Sequence, residues 1–300
     1  MKCMEFKTLF NFLEIARLKN FTAAARSLNL TQPTLSKQIQ ELESELGARL
    51  LIRGKRVTVL TEAGEYLFKK AGEIIELVER TKDGIVHADP QISGNVYIAG
   101  GETRTMSVVA RAIKKTREKY PGIKFHLYSG NAEAVAERLE KGLADFGAFV
   151  LPASLEKFEY INLPLKDRWG LLLRKDHPLA SKDRIEVGDL SRMELICSAQ
   201  NSANNEINGW MGKNAPRLNI VATYTLLYNA AIMVQEGIGA AICLEGIADI
   251  SSGSPLCFRP FYPYLEVTIA IAYKKSNLFS SAAIIFQEIL YDEIAKSKSS

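Results

Sequence analysis

The chain has 300 residues, 47% hydrophobic and 24% charged, which suits a globular protein of about two folded units and excludes pervasive disorder. No uncharged apolar run reaches membrane-spanning length, and Glu5, Lys7, Glu14 and Arg17 interrupt the segment where a signal peptide would need its apolar core; a cytoplasmic protein with no membrane partner is expected. Of the net charge of +4, residues 1–60 carry +5, 61–90 carry −3 and the remainder +2, an asymmetry that suits a nucleic-acid-binding N-terminal end.

Phe6, Leu9, Phe10, Leu13 and Ala16 predict an amphipathic helix over 5–18. Thr22 is placed to cap a short helix, Ala23–Leu28, and Thr31 to cap a third with Pro33 in its first turn. Leu35, Ile39, Leu42 and Leu46 mark the buried stripe of that third helix, and Gly47 ends it. Its other face carries Gln32, Thr34, Ser36, Lys37 and Gln40, side chains able to bond base edges or phosphates. Two short helices, a tight turn and the close-packing run Ala23-Ala24-Ala25 make residues 21–40 a helix-turn-helix.

Leu50-Leu51-Ile52 and Val57–Leu60 flank Arg53-Gly54-Lys55-Arg56, a hairpin with a three-cation tip. Beside a helix-turn-helix this is a wing for the phosphate backbone or minor groove; a tip charged for solubility is the alternative. Thr61 then caps a long helix with a heptad-like seam of Leu67, Ala71, Ile74, Val78, Thr81 and Ile85. A narrow apolar stripe of that length suits a dimerisation helix, with one more core helix as the alternative. Gly84 and Asp89-Pro90-Gln91 form the linker.

These residues resemble the LysR-type transcriptional regulators. The resemblance runs through Phe21-Thr22-Ala23-Ala24-Ala25, Leu30–Ile39, Leu42–Gly47, Leu50-Leu51-Ile52-Arg53 and Leu60-Thr61-Glu62-Ala63-Gly64. It departs at Lys37 and Leu51, where the family commonly has Arg and Phe. Tyr120-Pro121-Gly122-Ile123, Gly142–Gly147, His177-Pro178-Leu179-Ala180, Asp189-Leu190 and Glu236–Ala241 extend it more weakly almost to the end.

The resemblance implies a sequence-specific DNA-binding regulator of α/β class: a winged helix-turn-helix, a linker helix, and a bilobed effector-binding domain of type 2 periplasmic-binding-protein-like fold. The expected divisions are 1–61, 62–90 and 91–300, with lobe I about 91–164 and 266–300 and lobe II about 165–265. The expected DNA-binding residues are Thr22, Gln32, Pro33, Thr34, Ser36, Lys37, Arg53, Lys55, Arg56 and Thr61. The expected partners are double-stranded DNA with paired half-sites, a small-molecule effector, further copies of the chain as dimer or tetramer, and RNA polymerase.

From the residues themselves, strands at Val96–Ala99, Ile123–Tyr128 and Phe146–Val150 alternate with helices at about 105–119 and 132–141, the mark of a parallel sheet. Trp169–Arg174 begins a second block, and Glu266–Tyr273 is a late strand able to return to the first sheet. The lobe crossings are expected near Leu163-Pro164-Leu165 and Leu265-Glu266-Val267, with the ligand crevice at the strand C-termini. Three loops can face it: Gly101–Thr105, Ser129-Gly130-Asn131 and Ser198–Ser202. The resemblance puts effector contacts there, with Glu102, Thr103, Arg104, Ser129, Asn131, Ser198 and Asn201 as candidates; helix capping is the competing role for the hydroxyls.

Four scattered cysteines (Cys3, Cys197, Cys243, Cys257), no C-x-x-C and three histidines leave no expected metal site or cofactor. Cys197 reads as a buried inert thiol, with a redox role as the alternative. No catalytic residue is expected, because nucleophile-elbow, phosphate-loop and dinucleotide-binding spacings are missing. An enzyme docked by its N-terminus and an architectural DNA protein are the competing functions.

Overall fold

The computed structural model describes residues 4–54, 57–85, 93–191, 193–213, 217–275 and 279–298. The chain divides into two compact units, Met1–Asp83 and Gly84–Ser300.

In the first unit, α1 (Phe6–Leu18), α2 (Phe21–Ser27) and α3 (Gln32–Leu46) surround a core of Leu9, Phe12, Ile15, Ala24, Leu35, Ile39 and Leu42. Ala24 and Ala25 are buried, and their small side chains let α2 lie close to its neighbours. Asn20, not Thr22, caps α2: its Oδ1 accepts from the Ala23 N–H at 2.9 Å, so the helix starts two residues earlier than expected. Thr31 caps α3 as expected, accepting from the Thr34 N–H, and Gly47 ends it at φ +65°. Leu46 leaves the buried stripe; it is 43% exposed on the last turn. Buried Asn11 donates to Gln38 at 2.8 Å, tying α1 to α3 with a satisfied polar pair.

Strands β1 (Leu51–Arg53) and β2 (Thr58–Leu60) pair antiparallel as the wing. Glu43 holds the hairpin to α3, its Oε1 accepting from the Leu50 and Leu51 N–H groups. Then α4 (Glu62–Ile85) begins at Thr61, whose hydroxyl accepts from the Gly64 N–H at 3.0 Å and donates to the Arg49 carbonyl at 2.6 Å. Of the expected seam, Leu67 and Ala71 are buried in the helix-turn-helix core, whereas Ile74 is 38% exposed. The core-helix alternative therefore fits the first turns, and the stripe leaves that core by Ile74. The Ile85 side chain, Lys55, Arg56 and linker residues 86–92 lie outside the described set.

The second unit contains two five-stranded sheets. Its strands are β3 (Ser93–Gly100), β4 (Gly122–Ser129), β5 (Phe146–Val150), β6 (Phe158–Arg174), β7 (Glu194–Ser198), β8 (Asn219–Tyr224), β9 (Ala240–Leu244), β10 (Leu256–Pro260) and β11 (Glu266–Lys274). Sheet I has the order β4-β3-β5-β11-β6 and sheet II β10-β6-β9-β7-β8. In each, three strands are mutually parallel, and antiparallel pairing joins them to the strands that complete the sheet.

Burial alternates along the strands. Ile269 and Ile271 face α5 (Met106–Lys119) and α9 (Ser281–Lys298), while Ala270 and Ala272 face α6 (Ala132–Glu140). In lobe II, Leu171 and Ile242 face α7 (Asn201–Met211), while Leu172 and Ala241 face α8 (Leu227–Gln235). Both faces covered is what parallel sheets require.

One strand serves both sheets. β6 pairs with β11 from Phe158 to Arg168, then with β9 and β10 from Trp169 onward. The first crossing thus falls at Arg168–Trp169, not at Leu163-Pro164-Leu165, which lies at a register shift against β11. The Trp169 N–H donates to the Leu265 carbonyl, bringing the two crossings together.

Candidate DNA-binding face and effector cleft

On α3, Gln32, Pro33, Thr34, Lys37 and Gln40 are exposed while Leu35 and Ile39 are buried, so helical periodicity alone separates the two faces. The Lys37 side chain is 80% exposed and its Nζ stands 4.0 Å from Glu41, a surface pair too weak to hold it from a phosphate. Arg53 reaches from the wing to α3: its Nη1 donates to Ser36 Oγ at 2.8 Å, and its guanidinium lies 4.2 Å from the Phe21 ring centroid. Wing cation, recognition-helix hydroxyl and α2 are thereby set in one arrangement. Thr22 is exposed. Thr34 Oγ shares a hydrogen bond with Thr31 Oγ. Thr61 differs from the other candidates, because its proton is committed to the Arg49 carbonyl and it serves as a helix cap.

In the second unit, the C-terminal ends of the parallel strands of both sheets meet at a cleft with a cavity of about 70 Å³ at its centre. Gly101 and Glu102 follow β3, Gly130 follows β4, and Ser198 ends β7, as the expected loops require. The sequence reading missed the other walls: Leu151 and Pro152 after β5, Thr225 after β8, Ile247 after β9, Glu206 on α7, and Trp169 and Val267 at the crossings. The strand-to-loop pattern could have found the β5 wall. Strand β8 was missed, and with it Tyr224 and Thr225.

The seven effector candidates separate. Glu102 and Ser198 line the cleft. Thr103 and Ser129 line a neighbouring groove instead. Thr103 donates to Asp167, and Thr105 Oγ donates to the same carboxylate at 2.7 Å. Arg104 turns the same way: Nε approaches Asp167 at 3.3 Å, Nη1 approaches Glu245 at 3.3 Å, and Nη2 donates to the Lys166 carbonyl. Asp167, fully buried in β6, is therefore the organising residue of this loop, and Thr103 and Arg104 are its partners rather than part of the cleft wall. Asn131 Oδ1 caps α6 through the Ala134 N–H, a capping role the sequence reading had weighed only for the hydroxyls. Asn201 lies in α7, not in a loop, and its side chain is outside the described set.

Across the cleft the lobes cap one another's helices. Glu102 of lobe I accepts from the Leu227 N–H at the start of α8, at 2.6 Å. Gln200 of lobe II accepts from the Ala132 N–H at the start of α6, at 3.1 Å. Each bond satisfies a helix-terminal donor that has no partner within its own helix.

Cys197 and Cys243 are buried free thiols, and burial pushes them up to about 11 and about 12. This supports the inert reading, since the thiolate is the reactive form.

A winged helix-turn-helix in one unit and a cleft between two α/β lobes in the other define a DNA-binding regulator with a small-molecule-binding domain. Family models agree on both parts: residues 6–65 match the bacterial regulatory helix-turn-helix protein model of the lysR family, and residues 90–295 match the LysR substrate binding domain. The chain belongs to the LysR family of transcriptional regulators. It is 27% identical to the uncharacterized HTH-type transcriptional regulator YfeR of Shigella flexneri, over 96% of this chain and 93% of that protein. It is also 27% identical to the Hca operon transcriptional activator HcaR of Escherichia coli, over 92% and 93%. The fold matches full-length CbnR in complex with its target DNA at a TM-score of 0.76 and 21% identity, over 98% of this chain and 99% of that one.

Proposed function

We propose that this regulator reads an operator of paired half-sites with α3 in the major groove and the wing on the backbone, under control of an effector held between the two lobes. The observation that carries the reading is the exposed polar face of α3, joined to the wing by the Arg53–Ser36 hydrogen bond. Gln32, Pro33, Thr34, Ser36 and Lys37 face the bases, Thr22 a phosphate, and Arg53 with Lys55 and Arg56 the backbone or minor groove. Operator DNA selected from a random pool tests this. Lys37→Ala and Arg53→Ala should each weaken binding and flatten its salt dependence by about one unit of slope per lost phosphate contact. Unchanged affinity and slope in both variants would overturn the placement.

The chain works as a dimer through 62–87 or as a tetramer with side-by-side effector domains, acts on RNA polymerase from the operator, and operates in the cytoplasm without catalysing a reaction. The exposed later turns of α4 support self-association. Effector binding biases the arrangement of subunits, because a ligand shifts an equilibrium by its differential affinity for two states and a closing cleft supplies that difference.

A further inference from the structure

We propose that the effector is an organic amine, protonated at neutral pH, with an apolar body and one hydrogen-bond acceptor. This rests on the cleft being the effector site and names the class of molecule it takes.

The first observation is the charge of the wall. Among the described lining residues the charged groups are two carboxylates, Glu102 and Glu206, with no Lys, Arg or His. The nearby cations are held elsewhere. Arg104 is engaged by Asp167, Glu245 and the Lys166 carbonyl, and Arg168 by Glu266 and the Tyr264 ring. The Tyr224 phenol is kept neutral by burial and donates to the Ile242 carbonyl. A carboxylate ligand here would face two like charges in a partly desolvated space without a counter-ion. An ammonium group meets the opposite situation.

Helix N-termini are the usual answer to a ligand anion. Here the first N–H of α8 bonds Glu102 and the first N–H of α6 bonds Gln200, each from the opposite lobe, and the α7 start carries Glu206 within its second turn on the cleft wall. Glu102 gives α8 only its Oε2, and Oε1 has no partner among the described residues, so it is available to an N–H donor.

The second observation is independent of charge. Trp169 lines the cleft, is 5% exposed, and its Nε1 has no hydrogen-bond partner. An indole N–H is a donor only, so a ligand that reaches it satisfies it with an acceptor. Leu151, Leu244, Ile247 and Val267 complete a wall suited to an apolar body.

The test uses the full chain at about pH 6, where both amines are protonated, with four phenyl ligands: phenylalaninamide (amine and acceptor), phenethylamine (amine alone), N-acetylphenylalanine (carboxylate) and N-acetylphenylalaninamide (neutral). Unfolding temperature and tryptophan fluorescence report binding. Phenylalaninamide should bind most tightly, phenethylamine more weakly, and the other two least. Glu206→Gln should weaken phenylalaninamide by about tenfold, the scale of one close charge pair. Preference for N-acetylphenylalanine, no binding by either amine, or an affinity unmoved by Glu206→Gln would overturn the amine assignment. Gly101→Leu adds bulk at the cleft wall, its Cβ no closer than 3.8 Å to any atom outside the adjoining residues, and separates the two readings. Carboxylate binding lost in Gly101→Leu leaves the cleft as the site and sinks only the amine. Binding of any of the four that persists in Gly101→Leu sinks the cleft itself.

Discussion

Asp167 shows how one buried side chain can organise a loop. With no exposed surface, it takes hydrogen bonds from Thr103 and Thr105 and the charge of Arg104. Asp167→Ala should destabilise the second unit by about 3 kcal/mol in denaturant titration, because two hydroxyls and a guanidinium lose their acceptor together. Glu14 offers a pH counterpart in the first unit. Its hydrogen bonds from Arg17 and Ser27 hold the carboxyl at about 2 rather than 4.5. The stabilisation is fully present above the unfolded pKa and fades as pH falls from 4.5 through about 2. In acid titrations of the full chain, the stability advantage over Glu14→Gln should disappear across that window. Cys197 and Cys243 should resist alkylation at mildly alkaline pH until the protein unfolds, which mass spectrometry of labelled peptides would read. At this scale the sequence was only partly legible. Thr31 and Gly47 announce their caps through local chemistry. Asp167 stands in the charged run Lys166-Asp167-Arg168 and looks like surface; its burial follows from β6 lying between β11 and lobe II, a long-range fact.

At the scale of elements, α4 changes character along its length. Its start is locked: a Cβ on Gly64 would collide with the Leu50 carbonyl and crowd Leu60. Gly64→Ala should therefore lever α4 away from the wing, costing about 1–3 kcal/mol and weakening operator binding in gel-shift titrations. Its later turns expose Ile74 and Leu77, the latter 45%. Placing Asp at both Ile74 and Val78 should shift the chain toward monomer in sedimentation velocity, because charge would enter the proposed seam. Sedimentation indistinguishable from wild type would mean the seam is misassigned. Helices α1–α6 and strands β3–β5 and β11 were legible because each carries its own periodicity. In the second unit α7, β8, β10 and α9 were not predicted. β8 is half-exposed, with Ile220 and Val221 at 48% and 41%, so no clear alternation marks it, and α9 is apolar on more than one side.

For the molecule as a whole, two lobes and a late returning strand were readable from the order of elements, whereas the place of the crossing was not. β6 runs unbroken through both sheets, and Pro164, which suggests an interruption, is accommodated at the register shift. The late return has a temporal consequence. β11 is the strand that joins β5 to β6 in the first sheet, yet it comes after every strand of the second. As the chain leaves the ribosome, lobe I must wait, the place between β5 and β6 empty, until residue 274 has emerged. Such long-range closure slows folding and leaves unpaired strand edges open to aggregation in the interval. A chain ending before Glu266 should have an unfinished first lobe however well the second is formed, and nascent-chain proteolysis should show protection arriving there last.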